Sequence, residues 1–255
     1  MLFSLKKQGK SIFLKINNNF MLQLSDMKTN SISCIICAFN EEKRIGTVLN
    51  ALKNHPYINE VIVVDDGSSD KTKEVVSEFS FVKLISHIKN SGKSTAMATG
   101  ISESQYDTLV FLDADILSIT PEDITELVKP VLEGRSDISI SLRKNSLWIY
   151  RKIGLDFVSG ERVIPKKYLI NELENIKKLP GFGVEVFMNR IIIKNNLRIK
   201  IVKWKNVVVE KKSGKVGFIK GTLGDLSMIK QILKVISFKE VIFQNYKFLK
   251  LSIKD

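Results

Sequence analysis

The stretch Val110-Phe111-Leu112-Asp113-Ala114-Asp115-Ile116 is an apolar run that ends in two carboxylates one residue apart. Thr108 to Leu112 has the composition of a buried strand, and side chains two apart on an extended chain point the same way. Asp113 and Asp115 are therefore expected on one face and Ala114 on the other. At roughly 4 Å separation and an effective dielectric of about 20, their repulsion is on the order of 4 kcal/mol, which water relieves only in part. A cation is wanted there. Hard oxygen ligands with room for water suit Mg2+ or Mn2+, and a metal held by few carboxylates commonly holds phosphates as well. On spacing alone, the plainer reading has equal weight: turn and helix-capping aspartates closing a strand.

Upstream, the same grammar recurs. Ser31 to Ala38 is a continuous β-rich apolar run, as expected for a strand buried on both faces. Asn40-Glu41-Glu42 follows it, then Ile45, Val48, Leu49 and Leu52 at helical spacing. Val61 to Val64 reads as a strand, Asp65 to Asp70 as a turn and cap, and Lys71 to Phe79 as a helix. Val82 to Ile85 is a short strand leading through Asn90-Ser91-Gly92-Lys93-Ser94-Thr95 into a helix that ends near Glu103. Downstream of the opening stretch, Thr120 caps a helix that has Pro121 at its first position and Asp123 three residues past the cap. Ile124, Leu127, Val128 and Val131 form its apolar face. Such alternation predicts an α/β fold with a mostly parallel sheet, helices on both faces, and ligands at the carboxyl ends of the strands.

The second half is less regular. Asp137 to Leu142 reads as a strand, Trp148 to Phe157 is ambiguous, and Asp156-Phe157-Val158-Ser159-Gly160-Glu161-Arg162 reads as a loop. Pro180-Gly181-Phe182-Gly183 breaks the chain before a helix with Val184, Phe187, Met188, Ile191 and Ile192 on one side. Arg198 to Trp204 and Val207 to Glu210 read as strands. From about Leu226 to Leu251, Ile229, Leu233 and Ile236 mix with Lys230, Lys234, Lys239, Lys247 and Lys250. Such a basic amphipathic helical segment packs on its own domain or lies on an anionic membrane.

Composition sets outer limits. At 255 residues with 44% hydrophobic content, the chain can bury a substantial core, which excludes wholesale disorder. The formal charge of +13 points to a negatively charged partner without choosing one. Cys34 and Cys37 fall on opposite faces of one strand, roughly 10 Å apart, too far for a disulfide. A reducing, cytoplasmic setting is the default for free thiols. Lysines interrupt every long apolar stretch, so neither a membrane span nor a secretory leader is expected.

Gly92-Lys93-Ser94 is not a P-loop, because His87 stands where that pattern needs its first glycine. Lys93 can still meet a phosphate as a point charge, or stay solvated. Asp66, closing an apolar strand, can accept from the imide N–H of a uracil or from a ribose hydroxyl. Phe39 offers a face on which a base stacks, although a strand-end Phe also serves as core.

Taken together, Cys37-Ala38-Phe39-Asn40-Glu41-Glu42, Val64-Asp65-Asp66-Gly67-Ser68, Asn90-Ser91-Gly92-Lys93 and Asp113-Ala114-Asp115 stand in the order and spacing of one family. The chain resembles the family 2 glycosyltransferases of GT-A fold over roughly Ile32 to Val131, and more loosely to about Ile229. The resemblance implies a nucleotide-sugar donor bound by Ala38, Phe39, Glu41, Asp66, Lys93, Asp113 and Ala114, with Phe39 packing on the base and Glu41 near the nucleoside. It also implies Mg2+ or Mn2+ on Asp113 and Asp115. The Asp156 to Arg162 segment is similar to the S-G-x-R segment of polyprenyl-phosphate sugar synthases. Gly181-Phe182-Gly183-Val184-Glu185 is similar instead to transferases that act on small phosphorylated acceptors such as phosphoglycerate. Arg143, Ser159, Gly160 and Arg162 are thereby candidate acceptor residues.

The family pattern is broken in places. Cys37 stands at a usual proline, Ser94 at a usual glycine, and Leu117 where some relatives have a metal-holding glutamine. Glu210 and Lys211 lie near where other relatives place a metal-binding histidine.

The expected organisation is a weakly ordered extension over 1–30, a GT-A domain over 31–220, and a C-terminal helical appendage over 221–255. Residues 31–132 form the donor half and 133–220 the acceptor half. The expected reaction moves a sugar from a UDP- or GDP-sugar, with Asp115 and Glu185 as catalytic candidates. Glu185, near a helix start, serves as base if the acceptor is a hydroxyl. A phosphate acceptor needs no base and would be oriented by Arg143 and Arg162. Expected partners are the donor, a phosphorylated or lipid-linked acceptor, and a membrane surface met through the C-terminal segment. Nucleic acid is not expected, and the expected location is the cytoplasm, at the membrane face. The competing readings are a nucleotidyltransferase and a non-catalytic basic binding module.

Overall fold

The computed structural model describes residues 31–180, 183–209, 233 and 235–253, together with the backbone of strands β1 (Leu2–Lys7) and β2 (Lys10–Lys15). Those two strands pair antiparallel within the segment expected to be weakly ordered. The central unit is a seven-stranded sheet. It contains β3 (Ile32–Ala38), β4 (Glu60–Asp65), β5 (Val82–Ser86), β6 (Thr108–Asp113), β8 (Ile138–Arg143), β9 (Arg162–Pro165) and β10 (Ile199–Trp204), in the order β10-β8-β9-β6-β3-β4-β5. A short pair, β7 (Ile116–Ser118) with β11 (Val208–Val209), lies beside it.

All contacts in the seven-stranded sheet are parallel except those of β9, which runs antiparallel to both β6 and β8. The register sets Cys37 beside Asp113 and Ala38 beside Asp65. Three polar strand ends therefore share one edge, as the βα alternation requires.

The helices take the places that their apolar spacing predicts. Helix α1 (Ile45–Leu52) buries Ile45, Val48, Leu49 and Leu52, and α2 (Thr72–Ser77) is shorter than expected. Helix α3 (Lys93–Glu103) approaches β3 so closely that a Cβ on Gly100 would lie 2.4 Å from Cγ2 of Ile35. Helix α4 (Pro121–Leu132) carries the full capping box of Thr120 and Asp123 and buries Ile124, Leu127 and Val128. The ambiguous stretch resolves into α5 (Trp148–Ile153), and α6 (Leu173–Lys177) and α7 (Gly183–Lys194) follow. Helix α8 (Phe238–Leu251) forms the last 14 residues of the expected C-terminal helical stretch. Cys34 and Cys37 are free thiols, and burial pushes the Cys37 thiol up to about 12.

Two expectations are corrected. Strand β6 ends at Asp113, and Ala114-Asp115 form the turn into β7. Strand alternation therefore does not place Asp115; a turn brings its carboxylate back toward Asp113, while Ala114 packs in the core. Arg162 opens β9 and does not belong to a loop. Of the expected strand Val207 to Glu210, Val208–Val209 forms β11, and residues 210–232, which hold Glu210 and Lys211, lie outside the described residues.

His55 ties the end of α1 to the start of α4. Its Nδ1 accepts from the Tyr57 N–H at 3.3 Å, so Nε2 carries the proton and donates to the Pro121 carbonyl at 3.0 Å. Burial lowers the pKa of this imidazole. A histidine with a depressed folded pKa gives stability that is complete above its unfolded value, about 6.5, and lost as pH falls below that value. Urea midpoints of the wild type are expected to fall from pH 7.5 to pH 5.5 more steeply than those of His55→Gln. Parallel slopes would remove His55 from the acid sensitivity.

Candidate active site

Loops at the ends of β3 and β4 are laced together before any ligand is considered. The backbone N–H of Asn40 donates to Ser68 Oγ at 2.9 Å, that of Glu41 to Thr72 Oγ1 at 2.7 Å, and that of Lys71 to Glu42 Oε2 at 3.0 Å. Asn40 adopts φ 57°, a left-handed conformation that Asn tolerates better than most residues. The turn leaves Phe39 44% exposed at the rim. Ala38 is core, and its carbonyl accepts from the Asp66 N–H at 2.8 Å. Glu41 pairs with Arg44 at 2.5 Å.

Asp66 is buried and engaged by the protein itself. Its oxygens accept from the backbone N–H groups of Ser91 at 3.0 Å and Gly92 at 2.7 Å, and His87 Nδ1 lies 2.7 Å away. His87 Nε2 meets Thr99 Oγ1 at 3.1 Å, which extends the chain of contacts into α3. Gly67, at φ 73°, permits this approach, because a Cβ there would lie 2.6 Å from the Lys89 backbone. In this conformation Asp66 fastens the loop that launches Lys93.

Lys93 begins α3 and reaches across the strand ends. Its Nζ donates to Asp113 Oδ1 and to Glu185 Oε1, each at 2.9 Å. Burial alone would lower its pKa, but these two carboxylates hold the ammonium well above lysine's ordinary value. Glu185 is fully buried, and its Oε2 has no hydrogen-bond partner. Asp113 also faces Arg143, whose Nη1 lies 3.6 Å from Oδ2. Although desolvation opposes it, Lys93 and Arg143 keep Asp113 below the ordinary carboxylate value. Asp115 goes the other way: burial, then Asp113 and Glu41, push it up to about 7.

The expected acceptor segment lies under this cluster. Gly160 packs flat on Asp113, where an added Cβ would lie 2.7 Å from Oδ1 and 2.8 Å from Oδ2. Ser159 is buried, its Oγ bonded to Ser141 at 2.7 Å and to Glu161 Oε2 at 2.7 Å. Glu161, absent from the expected site, is fully buried and takes Arg143 Nη1 at 2.8 Å.

Arg162 is likewise enclosed, so the expectation that it orients an acceptor phosphate is corrected. Its Nε and Nη2 donate to the Ser159 carbonyl and its Nη1 to Asn189 Oδ1 at 3.0 Å. Burial lowers its pKa. Asn189 in turn donates to the Phe157 carbonyl at 2.8 Å and to Gln244 Oε1 at 3.0 Å, which ties α7 and α8 to the loop. A signal for Asn189 existed: it lies four residues after Glu185 on the same side of the helix, so a buried role for one implies it for the other. Glu161 and His87 had no such signal.

Across the cluster, five carboxylates (Asp113, Asp115, Asp156, Glu161, Glu185) interact with three cations, Lys93, Arg143 and Arg162. One divalent cation would balance that count beside Asp115, whose pKa is raised first by burial and then by Asp113 and Glu41. Among the described residues no group of three His, Cys, Asp or Glu side chains forms a complete metal cage. Asp113 and Asp115 can therefore contribute only part of a coordination sphere.

Gly160→Ala is expected to displace the Asp113 carboxylate and weaken divalent-cation binding on the order of tenfold or more. Far-UV circular dichroism should stay unchanged. Calorimetric Mn2+ titration of the two proteins checks this, and equal affinities would show that Gly160 does not set the position of Asp113.

The fold is thus a seven-stranded α/β sheet with an acidic pair and a lysine at its carboxyl edge. The chain belongs to glycosyl transferase family 2, whose pattern it matches over residues 33–196. It is 31% identical to an uncharacterised protein of Methanocaldococcus jannaschii, over 79% of this chain and 97% of that one. It is 34% identical to the dolichol-phosphate mannosyltransferase of Pyrococcus furiosus, over 57% of this chain and 43% of the relative. The chain spans about half the length of several other curated relatives that it matches. In fold it is similar to glucosyl-3-phosphoglycerate synthase of Mycobacterium tuberculosis, crystallised with Mn2+, UDP and glucosyl-3-phosphoglycerate. The TM-score is 0.63 with 21% identity, over 83% of this chain and 81% of that one.

Proposed function

We propose that the chain moves a sugar from a nucleotide-sugar donor to a phosphorylated acceptor, with Mg2+ or Mn2+ bound at Asp113 and Asp115. The observation that carries this reading is the excess of carboxylates over cations around Asp113, at the strand edge where Phe39 and Lys93 also lie. The M. tuberculosis neighbour's Mn2+ and UDP support the choice of metal and of a uridine nucleotide. The mannosyltransferase relative supports a lipid phosphate as acceptor.

In this mechanism Phe39 stacks on the base at the rim and Glu41 lies near the nucleoside. Asp66, through Ser91 and Gly92, sets the position of Lys93. The Lys93 ammonium turns from Asp113 toward the diphosphate and neutralises charge on the leaving group. A divalent metal would supply further charge neutralisation at the same oxygens. Arg143, braced by Glu161, presents its guanidinium to the acceptor phosphate. Glu185 anchors Lys93, and its free Oε2 is the proton acceptor if the acceptor is a hydroxyl. Arg162, Ser159 and Gly160 serve by shaping the wall behind Asp113.

The exposed face of α8, with Phe238, Ile242, Phe243, Tyr246 and Leu249 among Lys239, Lys247 and Lys250, supports peripheral membrane contact at the cytoplasmic face. No helix among the described residues is long and apolar enough to cross a membrane.

The deciding experiment crosses a panel of nucleotide-sugars with polyprenyl phosphates and with small phosphorylated acids, with Mn2+ or with a chelator. Metal-dependent nucleoside diphosphate release with one donor, and a glycosylated acceptor, is expected. Pyrophosphate release from a nucleoside triphosphate would establish the nucleotidyltransferase reading instead. Anion binding without turnover of any donor would leave a binding module.

A further inference from the structure

The loop between β5 and α3 is fastened from its inner side by one histidine. Ile88, Lys89, Asn90 and Ser91 are exposed, and Gly92 stands in open space at φ 92°. Side-chain packing therefore does little to fix where α3 begins, and Lys93 is its first residue. His87, the first residue past β5, turns the other way. Its backbone N–H donates to the Asp65 carbonyl at 2.8 Å, and its ring lies between Asp66 and α3.

The two ring nitrogens have different partners. Asp66 accepts from the backbone N–H groups of Ser91 at 3.0 Å and Gly92 at 2.7 Å, as a carboxylate does. Nδ1 of His87 lies 2.7 Å from Oδ1 of that carboxylate, and two acceptors at such a distance repel, so Nδ1 carries a proton. Nε2 meets Thr99 Oγ1 at 3.1 Å, and that hydroxyl also lies 3.1 Å from the Thr95 carbonyl. A hydroxyl both donates and accepts, so Thr99 serves Nε2 with or without a proton there. The ring thus donates to Asp66 whether neutral or charged. Its neutral tautomer is opposite to that of His55, whose proton sits on Nε2.

A chain of contacts carries this position to the catalytic edge. His87 orients the Asp66 carboxylate, which holds the Ser91 and Gly92 amides. Thr95 Oγ1 then ties the first turn of α3 back to the Ser91 carbonyl at 3.0 Å. Lys93 leaves from that turn and reaches Asp113 and Glu185. We propose that His87 is a positioning residue for sugar transfer: its Nδ1–H holds Asp66 against the loop amides and so aims the Lys93 ammonium at the leaving diphosphate. A misplacement of about 1 Å costs on the order of a hundredfold in rate. This role rests on sugar transfer with Lys93 at the diphosphate; the latch itself is measurable without turnover.

Two substitutions separate a hydrogen-bond donor from a space filler. His87→Leu keeps the bulk and has no side-chain N–H, whereas His87→Asn is smaller and keeps an N–H near the place of Nδ1–H. Amide hydrogen exchange at Ser91 and Gly92 is expected to speed up on the order of tenfold or more in His87→Leu, with β3 and β4 unchanged, and to stay near wild type in His87→Asn. Turnover (kcat) should fall on the order of tenfold or more in His87→Leu, with the KM for the acceptor unchanged, and recover in His87→Asn. The chain has two histidines, so a proton–nitrogen correlation spectrum of the imidazoles should show His87 protonated at Nδ1 and His55 at Nε2.

Unchanged exchange in His87→Leu, or a bare Nδ1 in the wild type, would overturn the latch. His87→Asn no better than His87→Leu would reduce the ring to packing and overturn its positioning role. Faster exchange with kcat unchanged would detach the latch from catalysis and overturn the proposal equally. Absence of sugar transfer from the wild type, with the exchange difference present, would support the latch and remove only the proposed reaction.

Discussion

Asp113→Ala is expected to abolish metal-dependent sugar transfer, lowering kcat/KM on the order of a thousandfold or more, while the protein stays folded. The carboxylate lies at the end of β6 beside Cys37, reached by Lys93, faced by Arg143 and backed by Gly160. Removing it deletes the group shared by the strand edge, Lys93 and the Gly160 wall. Lys93 would retain Glu185 as a partner, so the substitution does not leave a buried cation uncompensated. Thermal stabilisation by UDP or GDP with Mn2+ should disappear together with turnover. Retention of both in Asp113→Ala would place the donor site elsewhere.

The second large effect is on stability. Arg162→Met is expected to cost about 3–5 kcal/mol, the range for removing one member of a buried charged network. The guanidinium is wholly enclosed and serves the Ser159 carbonyl and Asn189 Oδ1. Without it those acceptors and the nearby Glu185, Asp156 and Glu161 lose their compensation. Such a loss is a large share of the 5–15 kcal/mol typical of whole domains. Arg162→Lys should fall between the two, because an ammonium keeps the charge and loses the planar fork. Equilibrium urea unfolding checks the series. A change below about 1 kcal/mol for Arg162→Met would mean that the site's acids are neutralised in another way.

Local pattern was enough to place the first half of the chain. The apolar runs of β3, β4 and β6, the capping box at Thr120 and the spacing in α1 each determine their element from neighbours in sequence. Four polar strand ends in register then fixed the functional edge. That Asp113 and Asp115 face each other was legible, although the physical route was wrong: a turn and not strand alternation brings the carboxylates together.

The second half of the chain was less legible because its logic is long-range. Strand β9 has four residues and pairs antiparallel between two parallel neighbours, which no local period announces. Arg162 was expected near an acceptor phosphate because its segment resembles the S-G-x-R of polyprenyl-phosphate sugar synthases, and arginines are exposed by default. Only the packing of α7 and α8 against β9 encloses it, with Asn189 linking Gln244 to Phe157. Asp66 looked open to a base because its partners, His87, Ser91 and Gly92, arrive from another loop.

By itself, then, the sequence determined the α/β order, the strand edge that carries Phe39, Lys93 and Asp113, and the family. These follow from short-range periodicity and from which residue types end each strand. Tertiary structure alone decided which charged groups face each other. It turned Arg162 inward, set Glu161 behind Arg143, placed Lys93 between Asp113 and Glu185, and left Trp148 outside. Burial and charge pairing depend on which distant elements meet, and a buried charge takes its role from the partners that pay for its desolvation.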